Sequence, residues 1–305
     1  MSTFTEKELV CEQAFNKYGP FWHVYTDGTK MENIFCSKEE MIMVMTAIAV
    51  ETTVTEEVMI ITFEIMKNHL HFIMAGERDA CLDFFARLKR RMMRMFSSTD
   101  KVIDWSNFQA SILPIDNLKS LRNEIIYVNR NAFVADSNYT PYNYPWGGGC
   151  AYFNELMQLL PVCSIEGFSV SKRRELARCR DVSKLGGLKF VGNIPFIPGF
   201  CRVDIGEMMF RDARSYFHSL TRNAEVFSQI AARLKDLVFL TDDELFSAAV
   251  KCAEAMFSES KLTILRPDQK IQLAKELHFK YNASNQQLRR LLKLDVKILS
   301  EMFPE

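Results

Sequence analysis

A chain of 305 residues, 48% apolar and 25% charged, is long enough for a sizeable core and for more than one domain. Lysine plus arginine number 38, aspartate plus glutamate also 38, and the formal net charge is zero. That balance excludes attraction of nucleic acid by the overall field, so any such binding has to come from local patches.

The opening segment "MSTFTEKELV" has neither a basic lead-in nor an apolar centre, so no signal peptide is expected. The longest apolar run, "MIMVMTAIAV" at 41–50, is about half the length of a membrane span and is flanked by glutamates. Eight cysteines, at 11, 36, 81, 150, 163, 179, 201 and 252, form no close pair and so no zinc or redox motif. They read as small core residues in a reducing compartment, and a soluble, cytoplasmic protein without a membrane partner is expected.

"PFWHVYT" (20–26) is aromatic and β-branched, the composition of a strand. "SKEEMIMVMTAIAVET" begins with Ser37 as a helix N-cap and carries acids in its first turn. "EEVMIITFEIM" and "HLHFIMAG" are two strands joined through "KN". "ERDACLDFFARLKRRMMRMF" (77–96) is a helix with one apolar and one basic face, and a further helix follows at about 115–133. The order β-α-β-β-α and then a helix predicts an α+β fold with a ferredoxin-like antiparallel sheet.

"NYTPYNYPWGGG" (138–149) is irregular by its Pro, Gly and Asn content. The chain divides into a domain over 1–150, a basic, turn-rich connecting region over 151–203, and a mostly helical region over 204–305. The last part, about 262–305, has helix-turn-helix spacing: a helix, a turn at Asn282-Ala283, and a second helix opened by a Ser284–Gln287 capping box. That second helix is expected to expose Gln286, Gln287, Arg289 and Arg290, which suit adenine and guanine edges in duplex DNA; a plain three-helix packing module is the alternative.

Two features carry chemistry. His69 and His71 stand two apart on a strand and so share a face, with Leu70 and Phe72 directed oppositely. This pattern suits two nitrogen ligands of one metal, and equally two half-exposed histidines or one held by a core hydrogen bond. On the helix after it, Tyr127 and Asn131 share a face, with Glu124 beside them. Tyr127 also fits as an amphipathic core residue with its hydroxyl at the rim.

"WHVYT" (22–26), "FCSKEEM" (35–41), "KNHLHFI" (67–73), "YVNRN" (127–131) and "YPWGGG" (144–149), in this order and spacing, resemble the single-tyrosine HUH transposases. Within them the REP-associated tyrosine transposases look most similar. The likeness spans roughly residues 20–150; the family usually follows its asparagine with proline, where this chain has Ala132. It implies an HUH endonuclease domain in which His69, His71 and Asn131, with Glu124 as a weaker alternative, hold a divalent metal, Mg²⁺ or Mn²⁺. It implies Tyr127 as the nucleophile that nicks and rejoins single-stranded DNA beside REP-like hairpins, in a monomer or homodimer. A domesticated DNA- or RNA-binding protein that keeps the fold without cleaving is the alternative. Arg87, Lys89, Arg90, Arg91 and Arg94 form either a phosphate track beside the site or a plain solvated helix face, with Lys172, Arg173, Arg174 and Arg178 as a second basic cluster. Trp22 and His23 are candidates to line the site or to serve the fold alone, and the "YPWGGG" aromatics to stack bases or to pack on the tyrosine helix.

Overall fold

The computed structural model describes residues 2–135, 139, 143–222, 230–231, 233–234 and 240–303; for 2–5, 132–135 and 221–222 only the backbone is described. The fold class is α+β, and the chain forms two compact units, Met1–Phe133 with Ser137–Thr221, and Val134–Asp136 with Arg222–Glu305.

The first unit is built on strands β1 (Phe21–Thr26), β2 (Val58–Ile65), β3 (Leu70–Gly76) and β4 (Ala110–Ile115), in the spatial order β2-β3-β1-β4 with every neighbouring pair antiparallel. Helix α1 (Ser2–Tyr18) precedes β1, α2 (Lys38–Val54) joins β1 to β2, α3 (Arg78–Phe96) joins β3 to β4, and α4 (Leu118–Ala135) follows β4. Two of these elements lie outside the sequence expectation, α1 and β4. The latter contains Pro114, which weakens any strand signal, and the structure puts it on the sheet edge, where a missing N–H is tolerated.

Side-chain alternation assigns the two faces of the sheet. Val24, Leu70, Phe72 and Met74 point to one, and there the Phe72 ring meets Phe84 of α3 at 6.3 Å. Helix α2 is buried throughout Met41–Glu51 because it is packed by α3 and the sheet and also by α5 and β7 of the segment that follows. That explains its continuous apolar run. Its start is the foreseen cap: Ser37 Oγ accepts from the Glu40 N–H while the Glu40 carboxylate accepts from the Ser37 N–H.

The segment expected to be a connecting region belongs to the first unit. It holds β5 (Val162–Ser164), α5 (Val170–Ala177), β6 (Lys189–Val191) and β7 (Ile194–Pro195), with β5-β6-β7 as a small antiparallel sheet; α6 (Val203–Met208) and α7 (Ala213–Arg222) follow in the expected helical region, and up to Thr221 they too belong to the first unit. Its Phe190, Ile197, Phe200 and Cys201 are buried, so it is core-forming and the expected boundaries at 151 and 203 are corrected.

The second unit contains α8 (Asp242–Phe257), α9 (Pro267–Tyr281), α10 (Asn285–Leu292) and α11 (Val296–Met302). The expected turn is present, with Asn282 in the left-handed region at φ 50°, as is the Ser284–Gln287 capping box. Its core joins Leu245 and Ala249 of α8 to Leu273, Leu277, Leu288 and Leu299, so the module does not begin at 262. Among the described residues no helix is long and apolar enough to cross a membrane.

Candidate active site

The other face of the sheet carries the polar residues. On β1, His23 and Tyr25 point to it; on β3, His71 lies across from Tyr25, and His69 sits just before the strand. A register shift between Ile60 and Thr62 of β2 turns Thr62 and Glu64 to the same side, with Glu64 directly beside His71. Helix α4 covers this face with Glu124, Tyr127, Asn129 and Asn131 buried.

The ties are specific. Glu124 Oε2 lies 2.8 Å from His23 Nδ1, and His23 Nε2 lies 3.0 Å from His71 Nδ1. The Tyr127 ring centroid is 6.2 Å from that of His23 and 5.8 Å from that of His71, and the His69 and His71 centroids are 4.9 Å apart. His69 Nδ1 lies 2.7 Å from Asn68 Oδ1, and Asn68 Nδ2 donates to the Gly28 and Met31 carbonyls. A Cβ at Gly28 would come within 2.6 Å of His69 Nδ1, so the turn after β1 rests directly on this imidazole and requires glycine there.

A carboxylate accepts only, which orders the chain when both rings are neutral. His23 donates from Nδ1 to Glu124 and accepts at Nε2 from His71 Nδ1–H. Outer hydrogen bonds of this kind fix the orientation and tautomer of the His71 ring. Along α4, Glu124 meets His23 and, one turn on, Tyr127 lies against His23 and His71; Asn131, a further turn along, is buried.

Beside this line, Asn129 accepts from the Thr62 hydroxyl and donates to the Tyr216 hydroxyl at 2.9 Å. Burial holds the Tyr216 hydroxyl above its ordinary pKa, so it stays protonated. The "YPWGGG" segment packs as a structural element: Ile65 N–H donates to the Trp146 carbonyl, and a Cβ at Gly149 would meet Asn129 Cβ and its carbonyl at 3.0 Å.

The expected metal ligands are therefore close neighbours in part. His69 and His71 are side by side, and each has Nδ1 engaged by an orienting partner. The Glu124 carboxylate lies on His23, which corrects its place as an alternative ligand. Among the described residues no three His, Cys, Asp or Glu side chains are grouped around a metal position. His69 and His71 supply two neighbouring imidazoles, and Asn131 is buried on α4.

The expected phosphate track lies elsewhere. Because α3 packs on the Phe72 face and α4 on the His71 face, Arg87, Lys89, Arg90, Arg91 and Arg94 are separated from the histidines by the sheet, which corrects their placement beside the site. Arg87 and Arg91 both pair with the buried Glu51, at 3.2 and 2.9 Å. Lys89 is half-buried, and burial presses its ammonium below the ordinary pKa. Arg90 and Arg94 are exposed. Trp22 points away from the site and donates to the Gly76 carbonyl.

In the second unit Gln286, Arg289 and Arg290 are exposed, and Arg290 pairs with Asp242 at 2.8 Å. Gln287 is corrected as a base-reading residue: its amide is used in the capping box and in a bond to the Leu240 carbonyl.

Glu64, Tyr25 and Asn129 carry no signal of their own in the sequence, and His23 is there no more than a candidate to line the site. The same two-residue period that marks His69-Leu70-His71 runs through His23-Val24-Tyr25 and Thr62-Phe63-Glu64. Only the strand register, a long-range property, brings the three runs onto one face. Comparison with protein-family models, with curated proteins and with solved structures gives no match for this chain.

Proposed function

We propose that the first unit is an HUH-type, single-tyrosine nuclease that nicks and rejoins single-stranded DNA. The observation that carries this reading is the placement of Tyr127 against His23 and His71, with His69 adjacent, on one face of one sheet. The strand order β2-β3-β1-β4 with helices after β1 and β3 supports a ferredoxin-like topology for it.

In the proposed reaction Tyr127 Oη attacks a DNA phosphorus, the P–O3′ bond breaks, and the strand leaves with a 3′-hydroxyl. The 5′-phosphate stays on Tyr127 until another 3′-hydroxyl reverses the step. The phenol is a modest nucleophile at neutral pH, so its activation is electrostatic, and the proton it gives up is balanced by the one the departing 3′-oxygen gains. A divalent ion, Mg²⁺ or Mn²⁺, would be held by His69, His71 and Asn131, and when bound it supplies charge neutralisation at the phosphate. REP-like hairpins as substrate and a monomer or homodimer follow from the family resemblance, and the eight free cysteines suit a cytoplasmic location.

Burial favours a second reading. Tyr127 is 2% exposed, His69 5%, and His23 and His71 0%, so these side chains present almost no surface to a DNA strand. Under that reading the polar face is a core network and the chain is a domesticated DNA- or RNA-binding protein that does not cleave. Incubation with labelled hairpin-flanked single strands and Mg²⁺ or Mn²⁺ separates the two. A covalent adduct lost in Tyr127→Phe supports cleavage; tight binding without adduct on several hairpins supports the binding protein.

A further inference from the structure

The two basic segments noted in the sequence come together. A cleft of about 1190 Å³ in the first unit runs between the C-terminal half of α3 and residues 174–185, on the side of the sheet away from the histidines. Arg91 and Arg94 line one wall, and Arg174, Arg178, Arg180 and Lys184 the other. Among the described residues two acids, Glu175 and Asp181, line it with them, so a chain of zero net charge sets six cations against two anions here.

Two of the six have partners outside the lining, Arg91 with Glu51 and Arg178 with Glu39. Among the described residues none of Arg94, Arg174, Arg180 and Lys184 has a carboxylate within ion-pair distance. Arg178 is partly stripped of water, and burial presses its guanidinium below the ordinary pKa, a cost that an anion in the cleft would relieve. The floor is aliphatic, formed by Val50, Val54, Met95 and Leu185. Among the described residues no aromatic side chain is in the lining to stack a base.

We propose that this cleft binds a compact polyphosphate, either inorganic tripolyphosphate or the triphosphate of a nucleotide, through Arg94, Arg174, Arg180 and Lys184. Cations on two facing walls enclose an anion from both sides, where a phosphodiester strand is tracked by a linear groove with stacking positions. A terminal phosphate of charge about −1.5 to −2, followed by further charged phosphates, matches the excess of positive charge in the lining. Without a stacking surface the site is indifferent to the base. The inference is independent of the nuclease reading, because it uses the other face of the sheet.

Titration calorimetry on the full chain tests it with four probes: tripolyphosphate, ATP, GTP and a single-stranded oligonucleotide. The three polyphosphates should bind with comparable, salt-sensitive affinity, below a millimolar dissociation constant. The double variant Arg94→Gln/Lys184→Gln should weaken them by about tenfold or more without lowering the melting temperature of the unliganded protein. Arg180→Gln alone should weaken them less, and Tyr127→Phe should leave them unchanged, which separates this site from the proposed nuclease. Absence of tripolyphosphate binding, or binding unaffected by the double variant, overturns the proposal. Binding of the oligonucleotide without tripolyphosphate also overturns it and makes the cleft a nucleic-acid site.

Discussion

At the scale of single residues the buried line Glu124–His23–His71 is a chain whose members hold one another. Truncating one member strands the next in a place without water. Glu124→Leu leaves the His23 Nδ1 without its acceptor and should cost about 2–4 kcal/mol, read from the urea midpoint. Replacing both partners, His23→Phe with Glu124→Leu, should cost less than the sum of the singles; simple additivity would mean the two do not interact. A second residue-scale prediction concerns Glu40. Burial raises its carboxyl, but Lys101 and the backbone N–H groups of Ser37 and Cys36 outweigh this and hold it at about 2, from an ordinary 4.5. The folded-state value is depressed, so the stabilisation is complete above about pH 4.5 and is lost as the pH falls from there through about 2. Glu40→Gln should lower stability at neutral pH by about 2 kcal/mol and flatten the acid limb in that window. An unchanged acid limb would show that the contact contributes nothing. The histidine pair and Tyr127 were readable in the sequence because each is a short-range pattern. The partners Glu64 and Asn129 were not, since nothing local says which strand lies beside which.

At the scale of elements, sequence reading succeeded where periodicity and capping agree and failed where one was missing. Helix α2 announced itself through Ser37 and a long apolar run, and α10 through Ser284. Strand β4 was hidden by its proline, and α1 by a mixed polar surface whose buried side is narrow, with Cys11 and Ala14. The placement of α3 was the costly omission, because its basic face is obvious while the side of the sheet it covers depends on Phe72 and Phe84. The turn after β1 carries a testable constraint. Gly28→Ala places a methyl where His69 Nδ1 stands, so it should displace the imidazole and destabilise the protein by about 1–3 kcal/mol. A variant of unchanged stability, with an unchanged His69 ring resonance in NMR, would contradict the close packing of this turn.

At the scale of the whole molecule, two units with separate cores should unfold as two events, which calorimetry of the full chain would resolve. Leu273→Ala, at a fully buried position in the helical unit, should lower only one of the two transitions, with a loss of about 2–4 kcal/mol; a shift of both would show a single cooperative core. Under the proposed readings the polar face of the sheet beneath α4 serves strand chemistry and the basic cleft a compact anion, both within the first unit, while the C-terminal helices form a module with its own core. Of these the first is the central claim, and it rests on one side chain. The direct measurement is mass spectrometry of the protein after incubation with a hairpin-flanked single strand and Mn²⁺, followed by nuclease and protease digestion. The account predicts one peptide carrying a 5′-nucleotide phosphate on Tyr127, absent from Tyr127→Phe and from His71→Ala. Unmodified Tyr127 in all samples, while the DNA stays tightly bound, would contradict it.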